Sequence, residues 1–290
     1  MRTLDYNRTM SVLVKTDWNH EWELALGGPR QPDTPEFWND KAVRCRRQGH
    51  TLLDGYDPYI ADFIDYAALR PGESVLDIGC GPGLMSVLLA GRGHRVIALD
   101  FSHRMLAMLF KKAHQAGGLD VTPVLADWRD DWQVKGVEKV DVALASRSVA
   151  AVELESAIRK LNAWARRRVC ISTAAGGSPV FDRVLAKELG RHICQHSNFA
   201  YCMNILFAMD VRPELRFIDS PKHESWPSRR HAEAAIRRSA GLLNNKEEAR
   251  LQSYLRRHLV QLCDEQGRLV WQRDYTRVVE WAFIAWDKDS

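Results

Sequence analysis

The segment of this sequence that most constrains its fold is a hydrophobic run that leads into a glycine-rich turn. Residues 75–83 read Val-Leu-Asp-Ile-Gly-Cys-Gly-Pro-Gly, so that an acid and three glycines lie close together. Glycine has no Cβ, and the backbone N–H groups of such a turn can therefore approach a small ligand closely. The next hydrophobic run, 96–99, ends at Asp100. In a nucleotide-binding α/β fold, a carboxylate at that point typically binds a ribose.

The pattern around this turn predicts a parallel sheet with helices on both faces. Strands and helices alternate, and the strands are nearly continuous apolar runs, as expected when both faces of a sheet are buried. The predicted strands are 74–78, 95–100, 121–126, 140–146 and 168–173, and the helices between them are 83–90, 103–115 and 153–166.

The regions on either side of this alternation are predicted to be mainly helical. Residues 1–33 show no regular pattern and end in linker-like glycines and prolines. Thr34 and Pro35 favour a helix start, as N-cap and first helical residue. After a glycine pair at 176–177 the alternation stops. The additional predicted elements are helices at 34–47, 59–69, 179–189, 199–209, 229–239 and 246–262, and strands at 214–218 and 278–286.

These patterns divide the chain into four regions. Residues 1–33 form an irregular segment, and residues 34–70 form N-terminal helices that are a candidate lid. Residues 71–176 form a cofactor-binding core, and residues 177–290 complete the sheet. The last region also carries two helical insertions, about 177–212 and 221–266, which we interpret as a substrate cap.

Composition and charge exclude several classes of protein. The chain has 290 residues, of which 46% are hydrophobic and 27% charged, as in globular proteins with a full core. The net charge of +4 includes no long block of Lys and Arg, which argues against DNA as a partner. Six cysteines are scattered without a CxxC pair, which indicates reduced thiols. Because we find neither a signal-peptide pattern nor an apolar run of about 18 residues, we expect a cytoplasmic protein without a membrane span.

Four motifs in this chain resemble those of the class I S-adenosylmethionine-dependent methyltransferases. Residues 75–83 are similar to the first motif of that family at every position, and residues 98–102 resemble the second. Residues 125–128 look like the third motif, and residues 140–148 like the strand that carries the fourth. The resemblance spans about residues 56–175 and the last strand, and is strongest to the small-molecule branch typified by quinone-biosynthesis methyltransferases.

The resemblance implies a Rossmann-like α/β fold. Its sheet would be doubly wound and seven-stranded, mostly parallel, with an antiparallel last strand and helical cap insertions. The segments 214–218 and 278–286 would then be the last two strands, and the helices between them would be an insertion.

The resemblance also implies a binding site for S-adenosylmethionine. Asp77 would anchor the amino end of the cofactor, directly or through water, and Asp100 would accept bonds from both ribose hydroxyls. Phe101 and Met105 would hold the adenine between them, and Asp127 would bind its amino group. The implied cofactor-binding residues are Asp77, Gly79, Cys80, Gly81, Gly83, Asp100, Phe101, Met105, Asp127, Trp128 and Ser146.

The activity implied by this resemblance is direct in-line transfer of a methyl group to a small-molecule acceptor. The fourth strand ends in Ala-Ser-Arg-Ser rather than an Asn-Pro-Pro-Tyr type sequence, which argues against enzymes that methylate the amino groups of DNA bases. A protein or RNA acceptor, or a noncatalytic S-adenosylmethionine-binding module, is the alternative. A dinucleotide oxidoreductase is a further rival, although its GxGxxG spacing differs from the GxGxG spacing here. Neither the acceptor nor the oligomeric state is assigned.

No catalytic base is assigned, and no metal is expected. The candidate bases near the predicted site are His50, Tyr56, Tyr59, Arg147, His196 and Tyr201. A second group, His192, Cys194, His196 and Cys202, contains metal-ligating residue types. Its spacing matches no familiar zinc site, and ordinary packing is the interpretation we favour.

Overall fold

The computed structural model describes residues 15–25, 34–47, 58–149, 153–175, 182–191, 198–264 and 266–288. Predictions that concern other residues lie outside this description. Among the described residues, three helices precede the sheet: α1 (Trp18–Ala25), α2 (Pro35–Arg47) and α3 (Pro58–Ala67). Helices α2 and α3 agree with the predicted elements. Thr34 caps α2, because its hydroxyl accepts a hydrogen bond from the Phe37 N–H at 3.3 Å.

Helix α1 lies in the region that was predicted to be irregular, so that prediction is wrong for these residues. Trp22 is only 3% exposed, and its indole N–H donates to the side-chain oxygen of Asn198 at 2.9 Å. Trp18, one helical turn earlier, packs against the same hydrophobic core. The helix depends on a partner far away in the chain, which a local sequence pattern does not show.

The seven strands of the main sheet follow the predicted alternation with helices. The strands are β1 (Val75–Ile78), β2 (Val96–Asp100), β3 (Val121–Leu125), β4 (Val140–Ser146), β5 (Ala165–Ala174), β6 (Glu214–Lys222) and β10 (Arg277–Asp287). Helix α4 (Leu84–Gly91) connects β1 to β2, α5 (His103–Gln115) connects β2 to β3, and α6 (Leu154–Trp164) connects β4 to β5, whereas turns join β3 to β4. The strand order is β3-β2-β1-β4-β5-β10-β6, and β1 to β5 pair in parallel. The predicted doubly wound, seven-stranded sheet is therefore confirmed.

Strand β10 supplies the predicted antiparallel element. The Ala175 N–H donates to the carbonyl of Glu280 at 2.9 Å, and the Lys288 N–H donates to the carbonyl of Arg167 at 2.6 Å. Residue numbers thus rise along β5 while they fall along β10, as in an antiparallel pair. Insertion of this strand next to β5 leaves the carboxyl ends of β1 to β5 together at one edge of the sheet.

Strand β3 differs from the expectation that every strand is buried on both faces. It lies at the edge of the sheet, and its side chains are half-buried or exposed. Its central residue, Pro123, pairs in register with Ala98. Proline has no N–H to donate, and within sheets it is therefore largely confined to edge strands. The apolar character of this segment does not reveal its edge position.

Two compact units make up the chain. The first comprises Met1–Thr173, Asn198–Ile218 and Ala282–Ser290, and the second comprises Ala174–Ser197 and Asp219–Trp281. Helix α8 (Asn198–Ala208) falls within the first predicted insertion, but its buried face joins the hydrophobic core of the first unit. Among the described residues, no helix is long and apolar enough to cross a bilayer.

The second unit contains a small sheet that the sequence did not reveal. Its strands are β7 (Ser225–Trp226), β8 (Leu259–Cys263) and β9 (Leu269–Arg273), paired antiparallel in the order β7-β9-β8. Its helices are α7 (Arg183–Leu189), α9 (Arg229–Ala240) and α10 (Asn245–His258). The helix predicted over 246–262 is wrong at its end, because the chain becomes extended at Leu259 and pairs with β9.

A buried polar cluster lies within this second unit. The Arg273 guanidinium is 3.0 Å from the Tyr254 hydroxyl, 3.1 Å from a carboxylate oxygen of Asp182 and 2.5 Å from Glu224. The Tyr275 hydroxyl donates to Asp182 at 2.5 Å. Asp182 also caps α7, so one carboxylate fixes both a helix start and a buried cation. A cavity of about 390 Å³ borders this cluster.

The corner between β1 and α4 requires glycine for two different reasons. Gly79, Gly81 and Gly83 have φ angles of 69°, 54° and 81°, which side-chain-bearing residues rarely adopt. A Cβ on Gly79 would lie 2.5 Å from the Cβ of Ser148, and a Cβ on Gly83 would lie 1.9 Å from Leu109. A Cβ on Gly81, in contrast, would meet no atom within 4 Å. Packing therefore closes both ends of the turn and leaves its middle open.

This difference predicts unequal effects of two alanine substitutions. Gly81→Ala should cost about 1–2 kcal/mol of stability, which is the penalty of a left-handed backbone for a residue with a Cβ. Gly83→Ala should cost about 1–3 kcal/mol more, because its methyl group collides with the Cβ of Leu109, which no rotamer change moves. Urea unfolding of both variants measures the difference, and equal losses of stability would contradict the packing argument.

Candidate functional site

The predicted cofactor-binding residues meet at the carboxyl ends of four neighbouring parallel strands. Strands β1 and β4 are neighbours, but the chain leaves them toward opposite sides of the sheet, which creates a crevice at this point. All eleven predicted residues lie within a strand end, in the turn after it or in the first helical turn that follows. The structure therefore brings the predicted residues together at one edge of the sheet, although the sequence did not reveal which side chains hold that edge together.

Asp100 connects the end of β2 to the glycine turn. One carboxylate oxygen accepts a hydrogen bond from the Gly81 N–H at 2.9 Å, and the other accepts one from the Ser102 N–H at 2.8 Å. The side chain is buried, and this burial raises the pKa of Asp100, while the backbone N–H groups of Ser102, Gly81 and Phe101 oppose the rise. Each carboxylate oxygen has two acceptor positions, so this arrangement is compatible with further bonds from ligand hydroxyls.

Asp77 lies inside the corner and is 1% exposed. Its carboxylate accepts a hydrogen bond from the Ser86 hydroxyl of α4 at 2.6 Å. Burial raises the pKa of Asp77 to about 7, the Ser86 hydrogen bond lowers it, and the nearby charge of Asp100 raises it further. The sequence indicated this acid but gave no sign of Ser86, which follows it by nine residues on the next helix.

The thiol of Cys80 is unsuited to nucleophilic chemistry. Cys80 is buried in the turn, and this burial raises its pKa well above the usual range, with further increases from the charges of Asp77 and Asp100. A thiol of high pKa is rarely present as the reactive thiolate at neutral pH. This environment supports the interpretation that Cys80 lines the turn and does not react.

The start of α5 is fixed by contacts that the motifs did not reveal. Ser102 caps the helix by accepting a hydrogen bond from the Met105 N–H at 3.2 Å. The Ser102 hydroxyl donates to the side-chain oxygen of Asn39 in α2 at 2.7 Å. Met105 is buried and Phe101 is half-buried. Helix α2, part of the candidate lid, is therefore bonded directly to the turn that carries the two predicted adenine contacts.

Asp127 already has a charged partner. Arg129 approaches both of its carboxylate oxygens, with its Nε at 2.9 Å from one and its Nη2 at 3.0 Å from the other. These bonds are the main cause of the lowered pKa of Asp127. The half-buried Trp128 packs against Trp132, with ring centroids 5.6 Å apart. A ligand that binds Asp127 has to share the carboxylate with Arg129.

A cluster of polar side chains marks the ends of β4 and β5. The hydroxyl of Tyr59, in α3, lies 2.8 Å from the Ser146 hydroxyl and 2.5 Å from the Ser172 hydroxyl. The Arg147 N–H donates to the carbonyl and the hydroxyl of Ser172 at 3.2 and 3.0 Å. Next to it, the Ser148 hydroxyl donates to the carbonyl of Ile78 at 2.7 Å. No sequence pattern indicated Ser172, although it lies at the centre of this cluster.

The structure describes three of the six candidate bases, Tyr59, Arg147 and Tyr201. Tyr59 and Arg147 come together, with the guanidinium carbon 4.1 Å from the centre of the tyrosine ring. Burial raises the pKa of Tyr59, so its hydroxyl stays protonated at neutral pH and is not a base. Tyr201 packs against the hydrophobic core, and His50, Tyr56 and His196 lie outside the described residues.

The group of possible metal ligands is only partly described. Cys202 is fully buried in α8, and burial raises the pKa of its thiol to about 12. Its three predicted companions, His192, Cys194 and His196, fall on residues without a description. Within the part of the chain that is described, no cluster of three or more His, Cys, Asp or Glu residues is arranged to hold a metal ion.

Comparisons with known proteins agree with the geometry of this edge. A family model for a methyltransferase domain matches residues 75–168. An uncharacterized protein of Haemophilus influenzae is 31% identical over 224 residues, which cover 76% of this chain and 80% of that protein. The ubiquinone biosynthesis O-methyltransferase of Hahella chejuensis is 42% identical over 56 residues, which cover 19% of this chain and 24% of that enzyme.

The fold has counterparts among solved structures. The YcgJ protein of Bacillus subtilis superposes with a TM-score of 0.53 at 14% identity, covering 81% of this chain and 100% of that one. At this level of identity the structural match shows the fold alone.

The raised pKa of Asp77 predicts a pH dependence of stability. In the unfolded chain this carboxyl ionises near pH 4, whereas in the folded protein it retains its proton up to about pH 7. Because the folded state binds more protons between these values, stability should fall as the pH rises from about 4 to 7. In Asp77→Asn, the free energy of unfolding should fall less over this pH range than in the wild type, by at least about 1.4 kcal/mol, which is the equivalent of one pKa unit.

Urea unfolding of the ligand-free protein across this pH range measures the effect. Asp120→Asn is the matched control, because Asp120 is exposed just before β3, and this variant should keep the wild-type slope. A wild-type profile that Asp77→Asn leaves unchanged would contradict the assignment of a raised pKa.

Proposed function

This chain belongs to the class I S-adenosylmethionine-dependent methyltransferases, and we propose that its methyl acceptor is a small molecule. The cofactor is S-adenosylmethionine, and the protein is a methyltransferase. The acceptor and the residues that bind cofactor and acceptor are the subject of the proposal. The relatives named as methyltransferases include ubiquinone biosynthesis enzymes, but the match to the Hahella enzyme covers only 24% of its length.

The charges at the site suit a cationic cofactor. Asp77 and Asp100 are both buried, and the hydrogen bonds described above come from neutral groups: the Ser86 hydroxyl and the N–H groups of Gly81 and Ser102. Burial raises the pKa of both carboxyls, so their charged forms are costly in the ligand-free protein, and a ligand that carries positive charge relieves this cost. The open middle of the glycine turn at Gly81 adds room for a ligand close to the backbone.

We assign the cofactor-binding roles accordingly. Asp100 binds the ribose, and Asp77 binds the amino end of the methionine portion. Phe101 and Met105 contact the adenine, and Asp127 binds its amino group while it shares its carboxylate with Arg129. The remaining members of the proposed site are Gly79, Cys80, Gly81, Gly83, Trp128 and Ser146.

The observation that best supports a small acceptor is the position of Tyr59. It is 2% exposed, and its hydroxyl joins α3 to the ends of β4 and β5. Helix α3 is thus anchored at the carboxyl ends of these strands, which supports an enclosed site and a small acceptor. Residues 34–70 would serve as a lid, and the insertions at 177–212 and 221–266 as a cap for the acceptor. Cys80, Cys170, Cys202 and Cys263 are unpaired, which supports the proposal of a cytoplasmic protein.

Methyl transfer requires the protein to position the acceptor more than it requires a proton transfer. Bound S-adenosylmethionine supplies a methyl group on a positively charged sulfur. Correct alignment of an acceptor atom with that group is worth roughly 7–11 kcal/mol of the barrier. The hydroxyls of Tyr59, Ser146 and Ser172 bond to one another and hold the ends of β4 and β5 and helix α3 in a fixed arrangement. Burial keeps the Tyr59 hydroxyl protonated, so it acts by hydrogen bonding and by excluding water.

The size of the acceptor is tested by following the methyl group. The protein is incubated with S-adenosylmethionine radiolabelled in the methyl group and an extract from the organism that encodes it, and the products are then separated by ultrafiltration. We expect the label in the filtrate. Label retained with protein or RNA would favour a macromolecular acceptor, and tight cofactor binding with no labelled product would favour a noncatalytic module.

The ribose assignment predicts the effect of Asp100→Asn. This variant should weaken S-adenosylmethionine binding by about 1.5–3 kcal/mol, the usual worth of hydrogen bonds to a charged group. A similar loss is expected for 5′-methylthioadenosine, which keeps the ribose but lacks the amino acid part. Isothermal titration calorimetry measures both affinities.

The matched comparison for this prediction is Asp77→Asn. It should weaken binding of S-adenosylmethionine but leave 5′-methylthioadenosine nearly unaffected, because that ligand lacks the amino acid part whose α-amino group Asp77 would hold. Urea unfolding shows whether either variant has lost the turn that Asp100 supports. A folded Asp100→Asn protein with wild-type affinity for both ligands would contradict the ribose role.

A further inference from the structure

Arg147 is held in an unusual backbone conformation at the edge of the site. It directly follows β4, and its φ angle is 59°. A residue with a Cβ pays roughly 1–2 kcal/mol for this left-handed conformation, and such strain tends to occur at functional sites. Two bonds to Ser172 stabilise it, because the Arg147 N–H donates to both the carbonyl and the hydroxyl of that residue. Ser172 is completely buried and pairs in register with Ser146.

The strained residue lies at the crevice where the strand order reverses. Its neighbour Ser148 donates to the carbonyl of Ile78 and occupies the space that a side chain on Gly79 would need. Arg147 is therefore fixed beside the glycine turn, between the ends of β4 and β1. Ligands of open α/β sheets bind in this crevice.

The side chain of Arg147 is presented on a rigid support. Its guanidinium carbon lies 4.1 Å from the centre of the Tyr59 ring, and the Tyr59 hydroxyl is bonded to Ser146 and Ser172. The residue as a whole is exposed. A contact over an aromatic ring uses the face of the guanidinium, whereas carboxylates and phosphates bind to N–H donors along its edge. The two contacts are compatible, and the first orients the side chain for the second.

The charges of this site are separated. The buried carboxylates of Asp77 and Asp100 lie on the β1–β2 side, where the cofactor motifs are. Arg147 and its supports Tyr59 and Ser172 lie on the β4–β5 side. A ligand that faces the β4–β5 side meets a fixed positive charge next to neutral hydroxyls. Arginine in such a position favours a planar anionic group.

We infer that Arg147 binds an anionic group of the methyl acceptor, a carboxylate or a phosphate, and that Ser172 is the positioning residue that holds Arg147 in place. The inference rests on the proposed small-molecule function and narrows its substrate class. An anion on the acceptor, held at this point, would orient the acceptor atom toward the methyl group without any proton transfer by the protein. The carboxylate of the cofactor is the competing anion, and the experiment distinguishes the two.

Benzoate and its neutral isostere benzamide are suitable probes. Each is titrated into protein saturated with S-adenosylhomocysteine, and binding is followed by NMR of the arginine side chains. We expect benzoate to bind, and Arg147→Gln to weaken it by about tenfold to a hundredfold, as for a lost charge-assisted hydrogen bond. Arg147→Lys should retain part of the affinity, because it keeps the charge but not the planar donor pair.

Arg166→Gln is the matched control. Arg166 is also an exposed arginine of this sheet, but it lies at the opposite, amino end of β5 and pairs with Asp141. This variant should bind benzoate like the wild type. Equal benzoate affinity in wild type and Arg147→Gln, or equal affinity for benzoate and benzamide, would overturn the inference. So would a comparable loss of S-adenosylmethionine affinity in Arg147→Gln, since Arg147 would then bind the cofactor.

A variant of the experiment with labelled S-adenosylmethionine and extract distinguishes failure of this inference from failure of the proposed function. The extract is first ultrafiltered, and its small-molecule filtrate is passed over an anion exchanger before it is incubated with the protein and labelled S-adenosylmethionine. We expect the compound that accepts the methyl group to be retained on the exchanger. Activity in the unretained fraction would overturn the role of Arg147 while the small-molecule function stands. Label found only in macromolecules would remove the proposed function and the inference with it.

The positioning role of Ser172 has its own measurement. With the retained acceptor fraction, Ser172→Ala should raise the amount of acceptor needed for half-maximal rate while the maximal rate and the S-adenosylmethionine affinity stay close to wild type. A general loss of structure would instead lower the maximal rate and the S-adenosylmethionine affinity as well, and that result would contradict a positioning role. An unchanged half-saturation point would show that Ser172 does not position Arg147.

Discussion

The bonds that Asp100 makes hold the two halves of the site in one geometry. Its carboxylate accepts from the N–H of Gly81 in the turn after β1 and from the N–H of Ser102 at the start of α5. Around it, Leu109 fills the space beside Gly83, and the Lys112 amine donates to the carbonyl of Pro82 at 2.9 Å. Asp100 would therefore have two roles, because the carboxylate that binds the ligand also holds the surrounding backbone in place. Any substitution of Asp100 acts on both, which is why stability and affinity have to be measured together.

The sequence predicted the parts of the fold that depend on local pattern. Helix α5 begins and ends at the predicted residues, and β1, β2 and β4 agree within one residue, because these segments are apolar runs between strong turn signals. Helix α1 and strand β8 were missed because each depends on a distant partner, Asn198 for Trp22 and Arg273 for Leu259. Tertiary contacts of this kind leave no periodic signal in the segment itself.

The same distinction applies to the candidate site. The glycines and acids of the β1 and β2 turns were visible as motifs, since their spacing is fixed by the turn that they form. Ser86, Asn39 and Ser172 were not, because each bonds across elements to a residue that a motif had already indicated. Arg147 was visible only as one of several candidate bases. Its backbone conformation and its contact with the Tyr59 ring indicate a different role, that of a fixed cation and not of a proton acceptor.

Pro123 has a consequence for association between copies of this protein. The Ala126 N–H, in the segment after β3, donates toward β2, to the carbonyl of Asp100. The backbone N–H groups of successive residues in a strand point alternately to one side and the other. The nitrogen of Pro123, three residues earlier, therefore faces away from β2. The outer rim of the sheet thus lacks a donor at the middle of its terminal strand. A strand from a second molecule that approached there would find the ladder interrupted, which protects this rim against edge-to-edge aggregation.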